Sequence, residues 1–353
     1  MTQTQTLENN LTNTAVSPQN QRIVLDGIGS PAMLKLISEP MPAPEAGEVR
    51  VRVLASGVAF ADLLCWKGMY PIMPKLPFTP GYDLVGIVDA LGEGVTTAAV
   101  GQSVGAILPH FGANAAYVNV PAQLLVPMPA GLDASEAVSV ILNYLTAYRL
   151  LTVSAQAKKG ERVLVHSAAG GVGTAVLQIG KILGLEMIGT ASAGKLETVT
   201  QYGATAIDYK NEDFAQQIRQ EFPEGIDIVL DPIGGDTMKK SYKLLRSGGR
   251  LISFGFMGAK EGSKMAVVPN LLNIFGYKLR PDGKSATMYG STPTIAEKET
   301  EWYQGALTTL FDWLANGRIQ PIIGAQLPLA EIAEAHHLLA TGSVVGKVVL
   351  INE

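Results

Sequence analysis

Residues 168–173 read Ala-Ala-Gly-Gly-Val-Gly and stand between an apolar run, RVLVHSA, and a helical pattern, GVGTAVLQIGKILG. They fit a G-x-G-x-x-G loop with Ala168 in the first glycine place, Gly170 in the second and Gly173 in the third. With no Cβ at Gly170, the backbone from Ala169 through Gly171 and Val172 can approach a pyrophosphate, and Gly173 lets the helix sit close to the strand. The helix start then offers free N–H groups and the positive end of its dipole to phosphate oxygens. A bare glycine pattern is weak evidence, but a strand before it and a helix after it are the context that gives it meaning. About twenty residues further on, an acid would accept the ribose hydroxyls and repel a 2′-phosphate. This chain has Thr190-Ala191-Ser192-Ala193-Gly194-Lys195 there instead. The Ser192 hydroxyl and the Lys195 ammonium can both bind phosphate oxygens, and Tyr209, at the end of the next β-run, adds a hydroxyl. Lys195 taken alone also reads as a solvated lysine at a helix start. Together these residues point to a dinucleotide with an extra phosphate, NADPH rather than NADH.

Two regimes of sequence must position that loop. From Arg22 to Val120 the pattern is of short β-runs, VRVRVLAS and LVGIVDA among them, punctuated by Gly and Pro. Such strands suggest a partly open β-barrel. From Asp133 the stretch ASEAVSVILNYLTAYRLLTV has helical spacing, with Asp133 or Ser135 as its cap. Then β-runs and helices alternate: RVLVHSA, EMIGTAS, AIDY, DIVLD and RLISFGF are separated by helices that include MKKSYKLLRSGG. That alternation builds a parallel sheet with right-handed crossovers. A further helix, WYQGALTTLFDWLANG, precedes a final β-run, VVGKVVLINE, expected to return to the first domain. The layout expected is a disordered tail over residues 1–20, a β-rich domain over 21–141 and 290–353, and a nucleotide-binding domain over 142–289.

Composition narrows the partners. The hydrophobic fraction of 47% and charged fraction of 16% are those of a globular chain. A formal net charge of −4 with no basic run gives nucleic acid nothing to bind. The single cysteine, Cys65, excludes an internal disulfide and suits a reducing compartment such as the cytoplasm. The apolar stretch from Val138 to Val153 is interrupted by Asn143 and Arg149 and reads as too short and too polar to span a bilayer. The first twenty residues lack the positive start and apolar core of a secretory signal.

The segments GVAFADLLCWKGMYP, PFTPGYDLVGIV, NYLTAY, HSAAGGVG, GTASAGK, IDY, DPIGG and GKVVL occur in an order that resembles the medium-chain dehydrogenase/reductase superfamily. The resemblance runs from about Arg22 to the C-terminus. It is nearest to the zinc-independent quinone oxidoreductases, particularly the group around the vesicle amine transport protein. It implies an α/β fold in which a GroES-like β-barrel catalytic domain joins a Rossmann doubly wound parallel-sheet domain, with the cofactor between them. Zinc members use a Cys where this chain has Ala59 and a His-Glu pair where it has Tyr82-Asp83. Cys65 lies at the wrong offset, the four histidines are scattered, and His166 reads as structural, so no metal is expected.

Without a metal, a fixed hydrogen-bond donor must stabilise the enolate oxygen that forms as hydride reaches the β-carbon. The resemblance assigns that place to Tyr70, above the nicotinamide; a tyrosine that merely packs in the loop is the other reading. It also implies a substrate pocket of Phe60, Tyr82, Asn143 and Phe256. Further cofactor contacts are implied at Thr146, Phe254, Gly255 and Lys347, although Lys347 can equally be an edge-strand charge. Ala59 departs from the asparagine usual in relatives and removes a polar group from the cleft. Asp62 matches a family acid and is expected in an ion pair or a turn. The function expected is NADPH-dependent reduction of a small electron-poor alkene or quinone by a homodimer. The alternatives are an enoyl reductase tailoring a biosynthetic intermediate, and an NADPH-binding membrane or lipid-associated protein with little turnover.

Overall fold

The computed structural model describes residues 19–258 and 268–352. The tail expected over residues 1–20 therefore lies outside the described residues except for Gln19 and Asn20, and these two belong to a strand. β1 (Gln19–Leu25) pairs antiparallel with β2 (Leu34–Pro40). The Asn20 amide exchanges hydrogen bonds with the Tyr117 backbone, at 3.1 Å to its carbonyl and 2.9 Å from its N–H.

The β-rich regime folds as β3 (Glu48–Val58), a short helix α1 (Phe60–Trp66), β4 (Asp83–Leu91), β5 (Ser103–Ile107), β6 (Tyr117–Pro121) and β7 (Leu125–Pro127). Alternation in VRVRV does what a half-buried strand requires: Val49, Val51 and Val53 are buried, while Arg50 and Arg52 face outward. Helix α2 (Ala134–Arg149) follows, and of its two candidate caps Asp133 is the one used, accepting from Ser135 N and Glu136 N.

The alternating regime gives β8 (Arg162–Val165), α3 (Gly171–Leu183), β9 (Glu186–Ala191), α4 (Leu196–Thr200), β10 (Thr205–Asp208), α5 (Phe214–Glu221), β11 (Ile226–Asp231), α6 (Gly235–Leu244), β12 (Leu245–Ser253), α7 (Val268–Lys278) and β13 (Ser285–Met288). The chain closes with α8 (Thr292–Lys298), α9 (Thr300–Ala315), β14 (Ile323–Pro328), α10 (Ile332–Thr341) and β15 (Lys347–Ile351). Six strands form one parallel sheet in the order β10-β9-β8-β11-β12-β13. The order reverses between β8 and β11, and ligands of such sheets lie in the crevice at that point. The second large sheet runs β14-β15-β3-β4-β5-β7, with β6 on β3. β15 lies antiparallel to β3, so the end of the chain does return to the first sheet.

Two expectations need correction, on one helix end and on the length of α2. The helix read through MKKSYKLLRSGG stops at Leu244, because Leu245 pairs with Ile226 in the parallel sheet and Ser247-Gly248-Gly249 bulges out before pairing resumes at Arg250. Glycines are poor helix formers, so the strand pairing prevails. The domain boundary expected at 141/142 lies along α2, whose Val138, Ile141 and Leu145 share one buried cluster with Val104 of β5, Val176 of α3 and Phe311 of α9. With the π-helical turn Leu150–Ser154, this helix spans 21 residues, long and apolar enough by length and composition to cross a membrane, contrary to the expectation. It is a core helix, 61% buried.

α10 packs on α1 through a buried pair, Trp66 Nε1 donating to His336 Nδ1 at 3.0 Å. The imidazole is thereby the neutral Nε2–H tautomer, and burial pushes its pKa down to about 4. An unfolded chain takes that proton near pH 6.5. The contribution to stability is thus complete above pH 6.5 and is lost as pH falls towards 4. His336→Gln keeps an acceptor for Trp66 and removes the titration. Urea unfolding at pH 7 and pH 5 should show a loss smaller by roughly 2 kcal/mol in the variant than in the parent; equal losses contradict this.

Candidate active site

A cleft of about 810 Å³ opens between the parallel sheet and the barrel, and every residue expected from the sequence to touch substrate or cofactor lines it. At its sheet end the loop after β8 turns at Ser167, whose φ is +57°, and enters α3 through Gly170. No side chain caps this helix. The N–H groups of Gly171, Val172 and Gly173 precede the first intrahelical bond and are left for a ligand. Gly173 is required by close approach: a Cβ there would stand 2.3 Å from Ser167 O and 2.6 Å from Ala168 O. The loop is also tied to the barrel, since Gly346 N donates to Ala169 O at 3.2 Å.

Beyond the end of β9, the Ser192 hydroxyl makes no hydrogen bond among the described residues, and Tyr209 is 53% exposed. Lys195 is engaged. Its ammonium donates to Gly342 O at 2.7 Å and Val344 O at 2.6 Å, on the segment between α10 and β15, and burial lowers its pKa. One N–H of three remains for an anion. Lys210 joins this end of the cleft, which the sequence reading did not foresee.

Under the loop lies a buried ion pair. Lys347 Nζ contacts both Asp83 oxygens, at 2.8 and 3.1 Å, with the two side chains 3% and 0% exposed. The edge-strand reading of Lys347 is corrected, because β15 lies inside the sheet between β14 and β3. Gly57 makes room for the pair: a Cβ there would fall 2.3 Å from Lys347 Nζ and 2.4 Å from Asp83 Oδ1. Asp83 also accepts from Leu142 N at 3.3 Å, and the next residue, Asn143, lies over Gly171.

Thr146 belongs to a directional chain. Its hydroxyl donates to Leu142 O at 2.7 Å, so the 2.6 Å contact with Thr292 is a donation from Thr292, and Tyr289 in turn donates to Thr292 at 3.0 Å. Thr146 therefore presents only a lone pair to the cleft. Phe254, Gly255 and Phe256 follow β12 along the opposite wall, held by Phe254 N to Asp231 O and Met257 N to Pro232 O, both at 2.9 Å.

The barrel end of the cleft is aromatic. Tyr82 donates to the Tyr70 oxygen at 3.0 Å, and Phe60 stands beside them on the cleft wall. Burial raises the pKa of both tyrosines, so both are neutral phenols at pH 7. Asp62 holds the turn beneath them, accepting from Ala59 N at 2.8 Å and Gly81 N at 2.9 Å, and burial pushes its pKa up to about 6. Of the two roles expected for it, the turn is the one seen. His166 is held between Thr190 Oγ1 and Ser241 Oγ, and burial lowers its pKa. Sequence reasoning missed the partner of Lys347, although Asp83 had been marked as standing where zinc relatives keep a glutamate. For Tyr289 and Thr292 the sequence carried no signal.

The profile described as "Alcohol dehydrogenase GroES-like domain" matches residues 45–130, and that described as "Zinc-binding dehydrogenase" matches residues 202–350. The synaptic vesicle membrane protein VAT-1 homolog of Danio rerio is 35% identical over 338 residues, covering 94% of this chain and 70% of the relative. The quinone oxidoreductase of Homo sapiens is 32% identical over 328 residues, 92% of this chain and 95% of that one. The crystal structure of Escherichia coli quinone oxidoreductase complexed with NADPH superposes with a TM-score of 0.83 at 30% identity, covering 94% of this chain and all of that one. Human VAT-1 homolog-like protein gives 0.82 at 29%, covering 96% and 99%.

A barrel and a parallel dinucleotide-type sheet flanking one cleft define an oxidoreductase of two-domain architecture. The chain belongs to the medium-chain dehydrogenase/reductase superfamily, in its zinc-independent quinone oxidoreductase branch. Although one matching profile is named for zinc, no three His, Cys, Asp or Glu side chains cluster as a metal site among the described residues.

Lys347→Met leaves Asp83 a buried carboxylate without a counter-charge, which should cost about 3–5 kcal/mol in urea unfolding. Adding Asp83→Asn should recover part of that loss. A double variant no more stable than the single one would contradict the assignment.

Proposed function

We propose that this chain is an NADPH-dependent, zinc-independent reductase that delivers hydride to a quinone or an α,β-unsaturated carbonyl. The observation that carries the reading is a single cleft with an uncapped helix start at one end and a buried, neutral phenol at the other. The residues present fit the cofactor: the N–H groups of Gly171, Val172 and Gly173 suit a pyrophosphate, and the unpaired Ser192 hydroxyl with Lys195, Tyr209 and Lys210 suits a 2′-phosphate. When bound, NADPH supplies the hydride.

The chain's own groups do the rest. Asn143, Thr146 and the Phe254-Gly255-Phe256 segment orient the nicotinamide end, with Lys347 and Asp83 fixing the floor below. Phe60, Tyr82 and Phe256 exclude water from the acceptor. Tyr70 donates to the acceptor oxygen and stabilises the negative charge that grows there, an effect worth roughly 100-fold in rate for one such donor. A homodimer is part of this reading, supported by the outer edge of β13, unpaired among the described residues, and by Leu272 and Phe275 exposed on α7 beside it. A cytoplasmic location is supported by the free, buried Cys65.

Mixing the protein with NADPH and methyl vinyl ketone or benzoquinone should give acceptor-dependent loss of the reduced-nicotinamide absorbance. Tyr70→Phe should lower kcat roughly 100-fold and leave the NADPH Kd unchanged. No acceleration with any acceptor, or full activity in Tyr70→Phe, would sink this reading. Lys195→Glu should weaken NADPH at least about tenfold in calorimetry while sparing NADH, as expected for loss of a charge-assisted phosphate contact. Equal effects on both cofactors would remove Lys195 from phosphate recognition.

A further inference from the structure

One contact in the cleft has a polarity that the rest of the structure enforces. Tyr82 and Tyr70 meet hydroxyl to hydroxyl at 3.0 Å, with Tyr82 the donor. Each phenol has a single proton. That of Tyr82 is directed at Tyr70, so Tyr70 receives on one side and must direct its own proton elsewhere.

Tyr82 is held so that it cannot turn away. It is 2% exposed, and its ring stacks on Phe111 with centroids 4.1 Å apart and planes at 27°. Phe111 itself sits at φ +66°, a conformation that a bulky residue keeps only where its surroundings enforce it. The backbone is fixed on both sides, by Gly81 N to Asp62 Oδ1 at 2.9 Å and by Leu108 N to Tyr82 O at 2.6 Å. The same Phe111 ring meets Tyr70 edge-on at 5.9 Å and orients both phenols. Around Tyr70 the other groups that act on it include Cys65 and Asp62 from α1 and the Ser291 hydroxyl ahead of α8, whose hydrogen bond to the phenol lowers its pKa in the same direction as that of Tyr82. All three are hydroxyl, thiol or carboxyl groups, and among the described residues no lysine or arginine is one of the main influences on the phenol.

We infer that Tyr82 is a positioning residue for hydride transfer: by donating to Tyr70 it fixes the direction of the Tyr70 proton, which is then presented to the acceptor oxygen. The inference rests on the proposed function, since it takes Tyr70 as the donor to that oxygen. The Tyr82 ring lines the cleft, but its hydroxyl reaches the reaction only through Tyr70. The hydrogen bond is made before the acceptor arrives, so no reorientation is needed as charge develops. It also stabilises negative charge on the Tyr70 oxygen, in line with the downward influence of Tyr82 on the pKa of Tyr70.

Tyr82→Phe keeps the ring and its stack on Phe111 and removes only the O–H. Steady-state NADPH oxidation should show kcat lower by about tenfold, with the NADPH Kd and the thermal midpoint unchanged. The Tyr70→Phe, Tyr82→Phe double variant should be no slower than Tyr70→Phe alone. An unchanged kcat in Tyr82→Phe, or an equal loss from it in the Tyr70→Phe background, overturns the inference while leaving the proposed function standing. A second measurement does not depend on turnover. With carbon-13 in the tyrosine Cζ positions, Tyr70 should titrate at higher pH in Tyr82→Phe than in the parent, and an unshifted titration also overturns the inference. If the parent reduces no acceptor, the proposed function falls and the role in hydride transfer falls with it, while the titration still decides whether Tyr82 sets the Tyr70 phenol.

Discussion

The arrangement of the cleft depends on one buried carboxylate. Asp83 is fully buried, takes the Lys347 ammonium on both oxygens and accepts from Leu142 N. Withdrawing two charges from water costs about as much as their attraction returns, so such a pair is weak as a source of stability and stronger as a device for placement. What it places here is specific. β4 carries Asp83, the last strand begins with Lys347, and α2 carries Leu142 and then Asn143, which lies over Gly171 at the start of α3. The residue before Lys347 is bonded to Ala169 of the phosphate loop. Four stretches far apart in sequence are brought into register by one acid, and Gly57 leaves the space in which it can happen.

The same accounting of partners alters the electrostatics expected of the cleft. Lys195 and Lys347 look like two cations facing a dinucleotide, yet Lys347 is neutralised by Asp83 and Lys195 is held by two carbonyls. In the proposed binding mode the attraction for phosphate then falls on the open N–H groups of α3, on the third proton of Lys195 and on Ser192, Tyr209 and Lys210 beside it. A 2′-phosphate that draws Lys195 fully towards itself must release Gly342 and Val344, whose segment also carries Gly346. Net selectivity for the extra phosphate is therefore the difference between two sets of charge-assisted hydrogen bonds, and smaller than an isolated ammonium–phosphate contact would give.

What could be read from the sequence was what depends on neighbours along the chain. Strand, glycines and helix around Gly170 form a local unit, and the alternation in VRVRV or the apolar run IDIVLD identifies a strand without any knowledge of its partners. Asp133 as a cap is equally local. What escaped was set by tertiary contact. Ser247-Gly248-Gly249 continues a helical pattern and yields to pairing between Leu245 and Ile226. Lys347 reads equally as a cofactor contact or an edge charge until β14 is known to cover its strand, and the two carbonyl partners of Lys195, read as a phosphate ligand, come into view only once α10 and its following segment are in place. Tyr289 and Thr292 carry no pattern at all; they matter only because α8 brings Thr292 within 2.6 Å of Thr146 on α2.

At the acceptor end, polarity is concentrated on very few atoms. Phe60, Ala59 and Leu64 line it with the edges of Tyr70 and Tyr82, and the Phe111 ring backs the two phenols. Of the two phenols of this wall, Tyr82 is already committed to Tyr70, so the proton proposed to reach the cleft is that of Tyr70. A ligand with a single carbonyl oxygen and an otherwise apolar body satisfies such a wall. One carrying several hydroxyls would bury donors with no acceptor to meet them, at a cost of about 1–3 kcal/mol for each. Ala59 acts in the same direction, since a methyl stands where an amide would add both a donor and an acceptor. The discrimination expected of the site is thus set less by what it binds than by the polar atoms it leaves unanswered.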